Sequence, residues 1–179
     1  ADGRVKPAIR ANDTTDCWGG VRHNRYTSQP SQPFRTANLA RVMYGTARPV
    51  SGSPIVGTDL GLYSVTFLND VDRDLAALQA FRAFRDEAAD VGFKYFFEVF
   101  NPNVDAGFSL AEKGEYVNDS ILRALAGVVK ADRPQFLKMP FNGPRALEEL
   151  CTFDPDLVVG VLGGGAGTTR DTFELIAQA

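Results

Sequence analysis

The sequence is poor in the residues that build metal centres, disulfide frameworks, polyanion-binding surfaces and membrane spans. Its 179 residues include one histidine, His23, and two cysteines, Cys17 and Cys151. A single imidazole argues against a His-rich metal site, and neither metal nor cofactor is expected. The cysteines are far apart and lack CxxC spacing, so they read as reduced thiols of a cytosolic protein. Lysine and arginine number 19 against 22 aspartates and glutamates, a net charge of −3 with a pI near 5.2. With the arginines scattered, no basic footprint for nucleic acid exists. No apolar run is long enough to span a bilayer, and Ala1 to Pro7 has no signal-peptide core. The expected location is therefore the cytoplasm, with no nucleic-acid or membrane partner. The chain does not begin with methionine, so an upstream segment carrying a targeting signal is left open.

What is present is enough apolar material for a sizeable core: 44% of residues are hydrophobic and 23% charged. Residues 1–60 are the least regular, rich in Gly, Pro, Ser, Thr and Asn. Arg10 to Gly20 and Tyr26 to Pro33 read as loops, with a short helix around Thr36 to Val42. From Leu60 onward, strands alternate with amphipathic helices. A strand over Leu62 to Leu68 leads to a helix over Asp72 to Asp90, which Gly92 stops. Lys94 to Phe100 forms the next strand, followed by a helix from about Asn118 to Lys130. A strand around Lys138 precedes a helix opening near Pro144, and Leu157 to Leu162 precedes a last helix over Thr168 to Ala177.

Successive βα units with apolar strands argue a parallel sheet covered by helices. Strand starts near 62, 94, 135 and 157 average about thirty residues apart, the spacing of a (β/α)₈ TIM barrel of roughly 250 residues. The chain is too short for eight such units. The expected class is α/β: a (β/α)₈ barrel seen as an incomplete chain, with about strands 4 to 7 clear. It forms one domain over 1–179, irregular over 1–60 and made of regular repeats over 61–179. A compact doubly wound domain is the alternative.

The stretch Gln135 to Gly143 places one lysine, Lys138, inside an apolar run. A cation there is costly unless paired, deprotonated or used. Desolvation favours the neutral, nucleophilic amine that a Schiff-base enzyme needs. The plainer alternative is a strand-end lysine whose ammonium reaches water along its own stem. Period-2 alternation puts Glu98 and Phe100 on one face of their strand, and Phe136 and Lys138 on one face of theirs. If both faces point inward, carboxylate and amine meet across neighbouring strands. They then serve either as acid/base and nucleophile or as a structural salt bridge. In a barrel, function collects at the C-terminal strand ends. There Asn69, Asp70, Asn101 and Asn142 are candidate substrate-binding residues. The run Gly163, Gly164, Gly165, Ala166, Gly167 and Thr168 offers backbone amides at a helix start, suited to a phosphate. It is not a nucleotide P-loop, and a tight strand-to-helix turn is the alternative.

In these residues, the segment from Tyr63 to Ala177 resembles the class I, lysine-dependent aldolases. It is closest to the tagatose-bisphosphate type, with kinship to archaeal-type fructose-bisphosphate and deoxyribose-phosphate aldolases. The resemblance lies in Phe96-Phe97-Glu98-Val99-Phe100, in Phe136-Leu137-Lys138-Met139-Pro140 and in Leu162-Gly163-Gly164-Gly165-Ala166-Gly167, in the order of the family's fifth, sixth and seventh strands. It implies Lys138 as the Schiff-base lysine and Glu98 as the acid/base, in a metal-independent lyase of carbohydrate metabolism that acts on a sugar phosphate as a homo-oligomer. The family's first-strand aspartate, second lysine and eighth-strand phosphate groups have no counterpart here, and Asn101 stands where fructose-bisphosphate relatives place a tyrosine. Arg10 to Gly20 matches no motif of the family. Two functions follow as expectations. One is C–C cleavage or formation in a phosphorylated ketose through a lysine Schiff base. The other is an inactive barrel that binds a phosphorylated ligand or serves as a structural or interaction subunit.

Overall fold

The computed structural model describes residues 5–163 and 169–178. Its centre is a five-stranded parallel sheet made of β1 (Ile9–Arg10), β4 (Leu60–Thr66), β5 (Lys94–Phe100), β6 (Leu137–Met139) and β7 (Val159–Val161), in that spatial order. Two further short strands, β2 (Asp13–Thr14) and β3 (Pro33–Phe34), pair antiparallel beside it. The helices are α1 (Thr15–Arg22), α2 (Leu39–Tyr44), α3 (Val71–Val91), α4 (Leu110–Leu125), α5 (Pro144–Phe153) and α6 (Thr169–Gln178). No helix among the described residues is long and apolar enough to cross a membrane.

Alternation along the strands divides the sheet into two unlike faces. Tyr63, Val65, Phe97, Val99, Leu137 and Met139 point to one side. There they share a single buried cluster with Leu39 and Met43 of α2, Phe81 and Phe84 of α3, Val117 and Ile121 of α4, and Leu150 of α5. The rings of Phe81 and Phe97 stack at 4.3 Å, and Tyr63 lies 4.5 Å from Phe84. Each such side chain contributes about 1.5–3 kcal/mol of burial. Gly61 is needed for this packing, because a Cβ there would meet the Phe93 ring at 2.8 Å. The helices end as their sequences dictate. Asp70 caps α3 by accepting from Arg73 N, and Gly92 closes it at φ 75°. Ser109 and Glu112 form a capping box at the start of α4, and Pro144 opens α5.

Three expectations need correction. Residues 10–20, read as a loop, contain the end of β1, β2 and most of α1, and β1 joins the main sheet beside β4 through Ile9↔Gly61 and Arg10↔Leu62. The irregular first part thus supplies a strand, too short to show a period. Helix α2 runs Leu39–Tyr44 rather than from Thr36, because Asn38 is its cap. Helix α4 starts at Leu110, eight residues before the expected Asn118, and ends at Leu125. Gly114 masks that start in the sequence. In the fold, a Cβ at Gly114 would sit 3.1 Å from Asn142 and Ala146, so close approach of the α5 segment favours glycine there.

Candidate active site

The second face of the sheet is polar at its centre. Parallel register places Ser64 beside Glu98, Glu98 beside Lys138 and Lys138 beside Gly160, one residue from each of four adjacent strands. Lys138 Nζ donates to Glu98 Oε1 at 2.5 Å, and Ser64 Oγ donates to Oε2 at 2.6 Å. The Glu98 side chain is 2% exposed and that of Lys138 36%. The carboxylate is thus enclosed while the amine keeps a route to solvent. Gly160, next in the row, leaves the far flank of Lys138 without a side chain.

From the other flank, β1 brings Arg10. Its guanidinium donates to Ser64 Oγ at 3.0 Å and lies 3.8 Å from Glu98 Oε2, with Asp13 at the same distance on its outer side. Ser64 therefore relays a hydrogen bond from arginine to carboxylate, and Glu98 sits between two cations. Just past β1, the Asn12 side chain takes over the ladder: its Nδ2 donates to Ser64 O at 2.7 Å and its Oδ1 accepts from Ser64 N at 2.6 Å. These bonds fix the backbone that aims Ser64 at Glu98. Two residues further along the same face, Thr66 Oγ1 reaches the buried carboxylate of Asp16 at 3.3 Å, and Ser31 Oγ donates to that carboxylate at 2.9 Å. Asp16 has no cation within 4.0 Å among the described residues.

Of the expected site residues, Glu98 and Lys138 are brought together. Asn101 and Asn142, beyond the ends of β5 and β6, exchange two amide hydrogen bonds of 2.9 Å and so tie those two loops at the end of the sheet that follows Lys138. Asn69 and Asp70 are engaged elsewhere. Asn69, at φ 58°, donates its backbone N–H to the Tyr116 hydroxyl oxygen and its Nδ2–H to Ala106 O. Asp70 caps α3 and pairs with Arg73, and these bonds, the Arg73 N–H first, hold its carboxyl below the usual range. Gly163 is exposed just beyond β7, whereas Gly164, Gly165, Ala166, Gly167 and Thr168 lie outside the described residues. The nearby thiol of Cys17 is pushed up by burial, opposite to the shift an activated cysteine needs. Among the described residues, no group of three or more His, Cys, Asp or Glu side chains is placed to hold a metal ion.

Arg10, Asn12, Asp16 and Ser64 are the members that sequence reasoning missed. The available signal was in β4, where Ser64 and Thr66 put hydroxyls on alternate positions of a mainly apolar strand. The network has the elements that amine chemistry requires: an amine open on one side, a carboxylate within proton-transfer distance, and fixed donors that hold the carboxylate in one orientation. No protein-family model, curated protein or solved structure matches the chain, so the aldolase resemblance rests on the strand residues alone.

Proposed function

We propose that the chain is a Schiff-base lyase of the class I aldolase kind, acting on a phosphorylated ketose, with Lys138 as nucleophile and Glu98 as acid/base. The observation that carries this reading is the 2.5 Å contact between a half-exposed amine and an enclosed carboxylate on adjacent strands. Glu98 takes a proton from Nζ, and the freed amine attacks the ketone carbon. The proton returns to the carbinolamine hydroxyl, which leaves as water. Glu98 takes the proton of the hydroxyl beside the scissile C–C bond, the pair of that bond passes into the iminium to give an enamine, and the aldehyde leaves. Glu98 then returns the proton to the enamine carbon, and hydrolysis of the resulting imine releases the ketone and restores the lysine. Ser64 and Arg10 act as positioning residues, keeping Oε2 occupied so that Oε1 faces the amine. The glycine-rich sequence after β7 supports a phosphate site there. All five strands are parallel and added in chain order without reversal, which supports the sheet as part of a (β/α)₈ barrel over a doubly wound domain.

One observation favours a second reading. Lys138 Nζ and Glu98 Oε1 are already bonded to each other, as a purely structural pair in an inactive barrel would be. Turnover of ketose phosphates by Glu98→Gln separates the two. The first reading expects a folded variant that still forms the Lys138 iminium, more slowly, with turnover lowered by about 10²- to 10⁴-fold. Full activity removes Glu98 from the chemistry, and unfolding without any wild-type turnover favours the structural pair.

A further inference from the structure

A second charged site lies at the opposite end of β5. A cavity of about 240 Å³ opens where α3 turns into β5, lined by Arg85, Gly92, Lys94, Tyr95, Asp132 and Arg133 among others. Its lining carries three cations and one carboxylate, a local excess of positive charge in a chain whose net charge is −3. The cations are unequally engaged. Arg133 is held by Asp154 and by Val128 O. Arg85 and Lys94 form no ion pair among the described residues, and Arg85 Nε is buried with no hydrogen-bond partner at all. The Arg85 guanidinium carbon lies over the Phe81 ring at 5.1 Å from its centroid, a contact that leaves its N–H groups without an acceptor.

Several backbone acceptors around the cavity are already taken, and the Asp132 carboxylate on its lining pairs with neither Arg85 nor Lys94. The last carbonyls of α3, Ala88 O and Ala89 O, accept from Gly92 N and Phe93 N. The Tyr95 hydroxyl donates to Asp132 O at 2.8 Å. Nε itself is enclosed, so an anion would be met by the outer nitrogens of the guanidinium, which have no acceptor among the described residues either. An arginine fork beside a free ammonium suits a compact tetrahedral dianion, and the cavity is too small for a nucleotide-sized ligand. The geometry points to a binding site for a small phosphate-class anion, held by Arg85 and Lys94, at the N-terminal end of the strands. It is separate from the Glu98–Lys138 pair and independent of the activity assigned to that pair.

A ¹H–¹⁵N NMR titration with inorganic phosphate, at constant ionic strength and with chloride as the matched control, tests this. The expected result is a saturable shift of the Arg85 Nε–Hε signal and of the amides of Lys94, Asp132 and Arg133. Lys94→Gln, at an exposed side chain whose loss leaves the core intact, should weaken that binding about tenfold, the loss of one charge-assisted hydrogen bond. Shifts confined to residues around Lys138, a response that grows linearly without saturation, or an unchanged affinity in Lys94→Gln would each overturn the site.

Discussion

The two faces of the sheet are built by the same strands, one residue out of step, and they solve opposite problems. Against the helices, Tyr63, Val65, Phe97, Val99, Leu137 and Met139 meet only apolar partners, and packing alone holds them. On the other side, Ser64, Thr66 and Glu98 are buried like those core residues, yet each is polar and each is bonded. The first face gains stability from area removed from water. The second spends hydrogen bonds and a half-buried ion pair to keep a carboxylate enclosed, which yields little net stability and a defined geometry. A face that is costly to build and rigidly specified is where chemistry is expected.

The largest effect should come from the apolar face. Phe97→Ala removes a fully buried ring stacked on Phe81 and should cost about 3–5 kcal/mol in urea unfolding, by the usual range for buried aromatic truncations. On the polar face, Lys138→Met leaves Glu98 with Ser64 and the more distant Arg10. The expected loss is about 1–3 kcal/mol, smaller because the lysine is partly exposed and water can reach the gap. A loss equal to that of Phe97→Ala would erase the proposed difference between the faces. Ser64→Ala removes two neutral-to-charged hydrogen bonds, to Glu98 and from Arg10, but brings those two charges face to face, and about 1–2 kcal/mol is expected with the helix face unchanged.

The apolar face should also set the alkaline limit of the fold. Burial pushes Tyr63 up to about 12. A group whose folded value is raised gives stability that is complete below its unfolded value, about 10 for tyrosine, and lost as pH rises through the folded value. Denaturant midpoints should therefore fall between those two values, and Tyr63→Phe should flatten the fall. The smallest effect is expected from Lys130→Met. The Lys130–Asp156 pair is almost as short as Lys138–Glu98, 2.7 against 2.5 Å, but its side chains are 80% and 64% exposed. The thermal midpoint should not move measurably, since exposed pairs of this kind contribute little.

Much of this division was legible in the sequence because it rests on local rules. Period-2 alternation in Lys94 to Phe100 and around Lys138 places Glu98 and Lys138 on one face, and the parallel register pairs them directly. The long α3 was legible to within one residue at each end, with Asp70 before it and Gly92 after it. What could not be read lies in contacts across long separations. Arg10 and Asn12 reach Ser64 over fifty residues away because a two-residue strand docks beside β4, and so short a strand has no periodicity. Asp16 falls in the stretch read as a loop, and only its burial against Ser31 and Thr66 makes it part of the polar face. The start of α4 was missed because Gly114 lowers local helix propensity, whereas the Ser109–Glu112 capping box was a signal present and passed over.

The central claim is that Lys138 is a nucleophile and not only the partner of Glu98. Borohydride reduction in the presence of dihydroxyacetone phosphate, followed by intact mass and peptide mapping, addresses it most directly. The account predicts one covalent adduct per chain, located on the peptide that carries Lys138 and absent from Lys138→Met. Labelling at Lys94 or Lys130 instead, or no adduct with any keto substrate, would contradict it.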